Sequence, residues 1–191
     1  TVLAGAGGRV AMSKVKRSFA YAVEKGFPVV NLGDSGGVRM PDNMGAANMM
    51  GMSDVYDAEP RNRRVPVIAT IMGSCFGDPA WTAARADIVI MVKGSVMAVS
   101  GPKVLATATG EKVTAEALGG WQLHARVTGQ VDLFAETEDD CFDLIGNALS
   151  FFPLAADELP PRGKVTDDPS RRLDSVLEII PDSPRKAFDM R

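Results

Sequence analysis

The chain has 191 residues, 46% of them hydrophobic and 24% charged, with a formal net charge of -3. That is enough apolar material for one well-packed core, and the slight acidity argues against a nucleic-acid surface, whose usual mark is a basic face. Two cysteines without regular spacing, Cys75 and Cys141, read as reduced thiols of a cytoplasmic protein, and the sequence carries neither a membrane-length apolar run nor a secretory-leader pattern.

Thr1 to Gly8 (TVLAGAGG) reads as the end of a strand passing into a turn. Its glycines lack the Gly-Lys-Ser/Thr ending of a phosphate loop. The start at Thr1, inside an apolar glycine-rich stretch, reads as a segment cut from something longer. From Met12 to Lys25 the apolar residues Val15, Phe19, Ala22 and Val23 fall at helical spacing, with Ser13 as candidate cap and Gly26 and Pro28 as the stop. Lys14, Lys16 and Arg17 lie off that stripe and read as a solvated face, with the phosphates of a coenzyme A as the alternative partner. Val29 onward is a short buried strand that runs into a glycine turn, where Gly36 and Gly37 let a ligand approach the backbone closely. Met40 to Met52 is rich in methionine (Met44, Met49, Met50, Met52), an adaptable filler for an acyl pocket, a subunit contact or an ordinary core. Glu59 to Arg64 is a charged surface turn.

A second apolar, β-branched run, Val65 to Met72, breaks into Gly73-Ser74-Cys75-Phe76-Gly77-Asp78, and Pro79 to Ala86 reads as helix because proline suits its first turn. Strand, glycine turn and helix therefore occur twice. Two such turns brought together can aim backbone N–H groups at one oxygen, which is an oxyanion hole. Asp87 to Val92 and Ser95 to Val99 are strands flanking Lys93-Gly94, followed by short helices over Lys103 to Thr109 and Thr114 to Leu118. His124 has no serine–acid spacing around it and reads as a satisfied structural histidine. Val131 to Ala135 is a last strand, and Thr137 caps a helix from Glu138 to Phe151. Asp139, Asp140 and Asp143 suit the positive end of that helix, and no metal site is read into them. Cys75 reads as a small buried filler. Pro160 to Arg172 is a proline- and charge-rich connector, and Leu177 to Ile180 a docking segment.

The segments GDSGGVRMPD, IMGSCFGDPAWTAARADIVIMVKG, VSGPKVLATATGEKVTAEALGG, HARVTGQVD and IIPDSP follow one another in order over essentially the whole chain. In this the chain resembles the carboxyltransferase β subunits of biotin-dependent acyl-CoA carboxylases, of the propionyl-CoA and methylcrotonyl-CoA types. The resemblance implies an α/β crotonase-like fold of stacked ββα units in a single-domain fragment, its helices covering stacked strands rather than both faces of one open sheet. It implies that residues 1–159 form the N-terminal domain and 160–191 a linker or docking segment toward a second one. The activity implied moves the carboxyl group of carboxybiotin, borne by a partner carrier protein, to the α-carbon of an acyl-CoA through an enolate. The partners implied are acyl-CoA, a biotin carboxyl carrier or biotin carboxylase subunit, and further copies of the chain, from dimer to hexamer, with no nucleic acid and no membrane. By resemblance the backbone N–H groups of Gly37, Val38, Gly77 and Asp78 serve catalysis, while Gly36, Phe76 and Ala80 adjoin the substrate. A histidine at the place of His124 is a neighbour of the site in this family. One departure stands out: relatives carry Gly-Gly where this chain has Gly77-Asp78 before Pro79. Asp78 is expected to act as the cap of the following helix, leaving the donors free, the alternative being a carboxylate turned inward that narrows the pocket or repels an enolate. An acyl-CoA decarboxylase of the same fold and a non-catalytic acyl-CoA-binding half-domain are the alternatives.

Overall fold

The computed structural model describes residues 2–46 and 64–188. Two compact units divide the chain, Thr1–Pro161 and Arg162–Arg191. Among its described residues the second holds one short helix, α8 (Val176–Ile179), in otherwise irregular, largely exposed chain.

In the first unit the order is α1 (Arg9–Lys25), β1 (Val29–Ser35), α2 (Met40–Asn43), β2 (Val67–Phe76), α3 (Asp78–Ala84), β3 (Ile88–Val92) and β4 (Val96–Ala98). Then come α4 (Pro102–Thr109), α5 (Ala115–Gly119), α6 (Trp121–Leu123), which runs on into a π-helical turn at His124–Thr128, β5 (Leu133–Ala135) and α7 (Glu138–Leu149). The strands are parallel in the order β1-β2-β3-β5, and β4 joins at β2. β2 is the spine. One edge pairs with β1, with a register shift between Gly33 and Ser35. The other edge is shared: Ile68 to Ile71 pair with β3, and Ser74 to Phe76 pair with β4. A strand that serves two partners in succession on one edge gives a branched sheet, unlike an open doubly wound one.

The unbroken apolar character of β2 and β3 follows from burial on both faces, the usual state of central parallel strands. One face carries Ala69, Ile71, Cys75, Val89, Met91 and Met97 under Ala80 and Ala83 of α3. The other carries Ile68, Ile90, Val92 and Ala135 under Cys141, Ile145 and Ala148 of α7. Helices thus lie on both faces of the β2–β3 region, contrary to the expectation drawn from stacking alone. The branch at β4 is what departs from an open sheet. The strands are also tied at their entrances. Asp87 donates its N–H to the Val67 carbonyl at 2.9 Å and accepts the Val67 N–H on Oδ2 at 2.9 Å. Asp132 repeats this with Val89, at 3.0 and 2.8 Å.

Several local expectations are corrected. Val2–Gly5 is a tight helical turn with Leu3 and Ala4 left-handed, and no strand end. α1 begins at Arg9 with Gly8 as its N-cap, because the turn closes before Ser13 is reached; Gly26 does end it, in the left-handed conformation. β1 is only half buried, with Val30 and Leu32 exposed, because it stands at the sheet's edge. β2 continues through the supposed turn to Phe76, since β4 supplies its last three residues with a partner. The helical stretch Trp121–Thr128 was not anticipated: Trp121 docks by stacking on Phe134, centroids 4.3 Å apart, a tertiary contact without local signature. The methionine-rich segment beyond Ala46 and the arginine turn before Arg64 lie outside the described residues.

Candidate functional site

β1 and β2 run parallel and side by side, with Ser35 opposite Cys75, so both glycine turns leave the sheet at the same end. Gly37 is buried at φ 106°, and a Cβ on it would stand 2.9 Å from the Phe76 carbonyl oxygen. Glycine there lets the two turns close on each other. Gly77, at φ 76° and ψ -123°, occupies a region open in practice to glycine alone and swings the end of β2 into α3.

The first turn is fastened by the N-terminal loop. Gly36 donates its N–H to the Ala4 carbonyl at 2.8 Å, Gly7 to the Gly37 carbonyl at 2.8 Å, and Arg39 to the Gly7 carbonyl at 2.9 Å. The Ser35 hydroxyl donates to the Gly5 carbonyl at 2.7 Å, and its oxygen accepts the Gly37 N–H at 3.2 Å. Such over-determination accounts for Leu3 and Ala4 persisting at φ 52° and 53°. The Val38 N–H has no partner among the described residues. In the second turn the Gly77 N–H donates to the Ala98 carbonyl at 3.0 Å, and the Gly77 carbonyl accepts from Ala80 and Trp81. Gly77 is therefore engaged on both sides in this conformation.

A cleft of about 620 Å³ opens between α1, β1 and α3, and its walls include Lys14, Lys16, Ser35, Gly37, Val38 and Asp78. Of the residues singled out from the sequence, Gly37, Val38 and Asp78 meet there. Gly36, Phe76, Gly77 and Ala80 are outside the lining, and Ala80 points into the core with 5% exposure. Asp78 is not the helix cap. Gly77 holds that position without a side-chain bond, and Asp78 is already the first helical residue. A capping side chain needs the extended backbone of the residue before the helix, which Asp78 does not have.

The loop glycines Gly5 and Gly7, Ser35 as the clamp of the first turn, and Lys14 and Lys16 as cleft wall are features the sequence reading left aside or assigned to solvent. The glycine run directly before α1 was the available signal. Cys75 is fully buried, and burial pushes its thiol up to about 11, against a smaller opposing effect of a hydrogen bond at Ser35; it is an inert filler. His124 is satisfied at both ring nitrogens, Nε2 on the Met97 carbonyl at 2.7 Å and Nδ1 on the Thr128 hydroxyl at 3.0 Å. Among the described residues no group of three or more His, Cys, Asp or Glu could hold a metal ion, and no helix is long and apolar enough to cross a membrane. A largely apolar cleft lined by Ser18, Ser35, Thr82, Lys14, Lys16 and Asp78, with a backbone N–H that has no partner among the described residues, suits an elongated ligand with a carbonyl at one end.

Comparison with known proteins follows the same line. The chain is 36% identical over its whole length to the propionyl-CoA carboxylase carboxyltransferase subunit of Haloferax mediterranei, covering 37% of that protein. It is 35% identical, again over its whole length, to the methylmalonyl-CoA decarboxylase subunit alpha of Veillonella parvula, covering 38% of it. The chain thus spans well under half the length of these relatives. Among solved structures, a transcarboxylase 12S hexamer with hydrolysed methylmalonyl-coenzyme A bound aligns with a TM-score of 0.75 and 30% identity, over 96% of this chain and 36% of that one. The fold is accordingly the crotonase-like α/β fold of the carboxyltransferases. A model of the carboxyl transferase domain matches residues 1–191, and the chain belongs to that family.

Proposed function

We propose that the chain is the acyl-CoA-binding part of a biotin-dependent carboxyltransferase, acting on the α-carbon of an acyl-CoA thioester. The observation that carries this is the family match over all 191 residues. Pairing of the two glycine turns beside one cleft supports it. Removal of the α-proton or carboxyl group leaves an enolate whose charge sits on the thioester oxygen, and fixed backbone donors stabilise it in the transition state. Gly37, Val38, Gly77 and Asp78 frame that end of the substrate. Val38 offers an N–H without a partner among the described residues, and Gly37 offers one whose hydroxyl acceptor a ligand oxygen can replace. Gly77, held by Ala98, shapes the turn. Gly36 and Phe76 back the two turns, Ala80 anchors α3 in the core, and Lys14 and Lys16 suit the anionic part of a coenzyme. Carboxybiotin on a carrier partner supplies or receives the carboxyl group. Assembly into dimers and hexamers and a division into a domain at 1–159 and a connector at 160–191 belong to the same proposal.

Near-equal likeness to a decarboxylase subunit, 35% against 36% identity, favours a second reading, in which the same site runs the transfer from acyl-CoA toward biotin. Both readings require acyl-CoA to bind. In a thermal-shift titration of the full-length protein, propionyl-CoA or methylmalonyl-CoA should give a saturable rise in Tm, with amide exchange slowed at residues 35–38 and 76–80. No shift with any acyl-CoA, or protection confined to other segments, would overturn the proposal.

A further inference from the structure

Strand β4 is three residues long and borders the second glycine turn, so what holds β4 sets the position of that turn. Its two sides are held differently. On the side of β2, the Ala98 carbonyl accepts the Gly77 N–H at 3.0 Å, in the pairing that sets Met97 beside Cys75 and Ala98 beside Phe76. Successive carbonyls of a strand point to opposite edges. The Met97 carbonyl accordingly faces away from Gly77 and accepts from the His124 ring at 2.7 Å. A carbonyl only accepts, so Nε2 carries the proton. Nδ1 lies 3.0 Å from the Thr128 hydroxyl, which also reaches the His124 carbonyl as donor at 3.4 Å and accepts the Gln130 N–H at 3.3 Å. The ring is fixed in orientation by its own π-helical turn. Met97 is 3% exposed, so loss of the His124 ring would take from a buried residue's carbonyl the side-chain partner it has among the described residues. Gly120 bridges Val96 on the same edge, and Gly119 lies so near the Met97 carbonyl that a Cβ there would stand 2.1 Å from it.

We propose that His124 is a positioning residue for the glycine turn at Gly77–Asp78. Its Nε2–H holds the outer edge of β4, and β4 through the Ala98 carbonyl holds Gly77 and the start of α3 at the cleft. The consequence for turnover rests on reading that turn as the thioester end of a carboxyltransferase site. The mechanical link does not.

The test compares three variants of the full-length protein. His124→Gln places an amide N–H close to where Nε2 stands and keeps the donor. His124→Asn places it near Nδ1, out of reach of Met97, and His124→Leu has none. Amide exchange at Gly77 should accelerate ~10-fold or more in the Leu and Asn variants and return toward the parent rate in the Gln variant. Carboxyl transfer should follow, kcat falling roughly 10- to 100-fold with the acyl-CoA KM nearly unchanged, as for a turn at the reacting end displaced by a fraction of an ångström, and recovering in His124→Gln. Should the Leu variant fail to fold, the Asn and Gln pair carries the comparison. Unchanged Gly77 exchange in a folded Asn or Leu variant would overturn the proposal, as would equal losses in Gln and Asn. Accelerated exchange in a protein whose parent form transfers no carboxyl group would overturn the functional reading alone and uphold the link from His124 to Gly77.

Discussion

Asp78 brings a carboxylate to the wall of the cleft, one residue beyond the glycine that ends β2. Its charge suits the first turn of α3 and opposes an anionic ligand beside it. Asp78→Asn is therefore expected to cost about 0.3–1 kcal/mol of stability through the lost helix-end interaction. The same change should tighten acyl-CoA binding several-fold, read by calorimetry on parent and variant; weaker binding would show that the carboxylate contributes to the ligand's contacts. Val38 provides a sharper test of the donor role. Val38→Pro deletes an N–H that no described group uses, while the bonds of Gly7 with Gly37 and Arg39 stay in place. A loss on the order of 100-fold in kcat at unchanged Tm is expected for one transition-state donor. Cys75, with its thiol raised to about 11 by burial, should resist alkylation at pH 8 in the native protein and react once unfolded. Because its folded pKa lies above the unfolded one, stability from this group is complete below pH 9 and declines as pH rises toward 11.

At the scale of elements, the ends were legible where local chemistry decides them and illegible where a distant contact does. Thr137 and Asp140 form a reciprocal capping box on α7, with the Asp140 N–H on the Thr137 hydroxyl at 3.1 Å and the Thr137 N–H on Asp140 at 3.0 Å. Threonine followed by acids announces this in the sequence. Thr137→Ala should lower stability by about 1 kcal/mol in urea unfolding, with the m-value unchanged. The stops at Gly26 and Gly110 are equally local, both left-handed ends with their N–H groups turned back on the helix. The end of β2 is another matter. Gly73 to Phe76 look like turn residues and become strand because β4, some twenty residues on, pairs with them. The same distance dependence hides the cap: Asp78 has the chemistry of an N-cap and the wrong backbone, since Gly77 takes the turn at positive φ. The exposure of β1 follows from its edge position, which its apolar sequence does not encode.

For the whole molecule, the decisive feature is that two strand–turn–helix units lie side by side in a parallel sheet and so open their glycine turns toward one cleft. The duplication was visible in the sequence as two apolar runs ending in glycine. The resemblance of five ordered segments supplied the family. Neither could supply the fastening of the first turn by Ala4 to Gly7, which depends on chain folding back from outside the duplicated unit. Nor could they show the hold of His124 on β4, which joins residues 27 apart. Transfer of a labelled carboxyl group tests the central claim most directly. The full-length protein would be mixed with acyl-CoA and a carboxybiotin-bearing carrier labelled in the carboxyl group. The account predicts label at the α-carbon of the acyl-CoA, formed at a rate that depends on protein and falls in Val38→Pro. Label that stays on biotin, with a folded protein that binds acyl-CoA and a carrier that is competent with another carboxyltransferase, would contradict it.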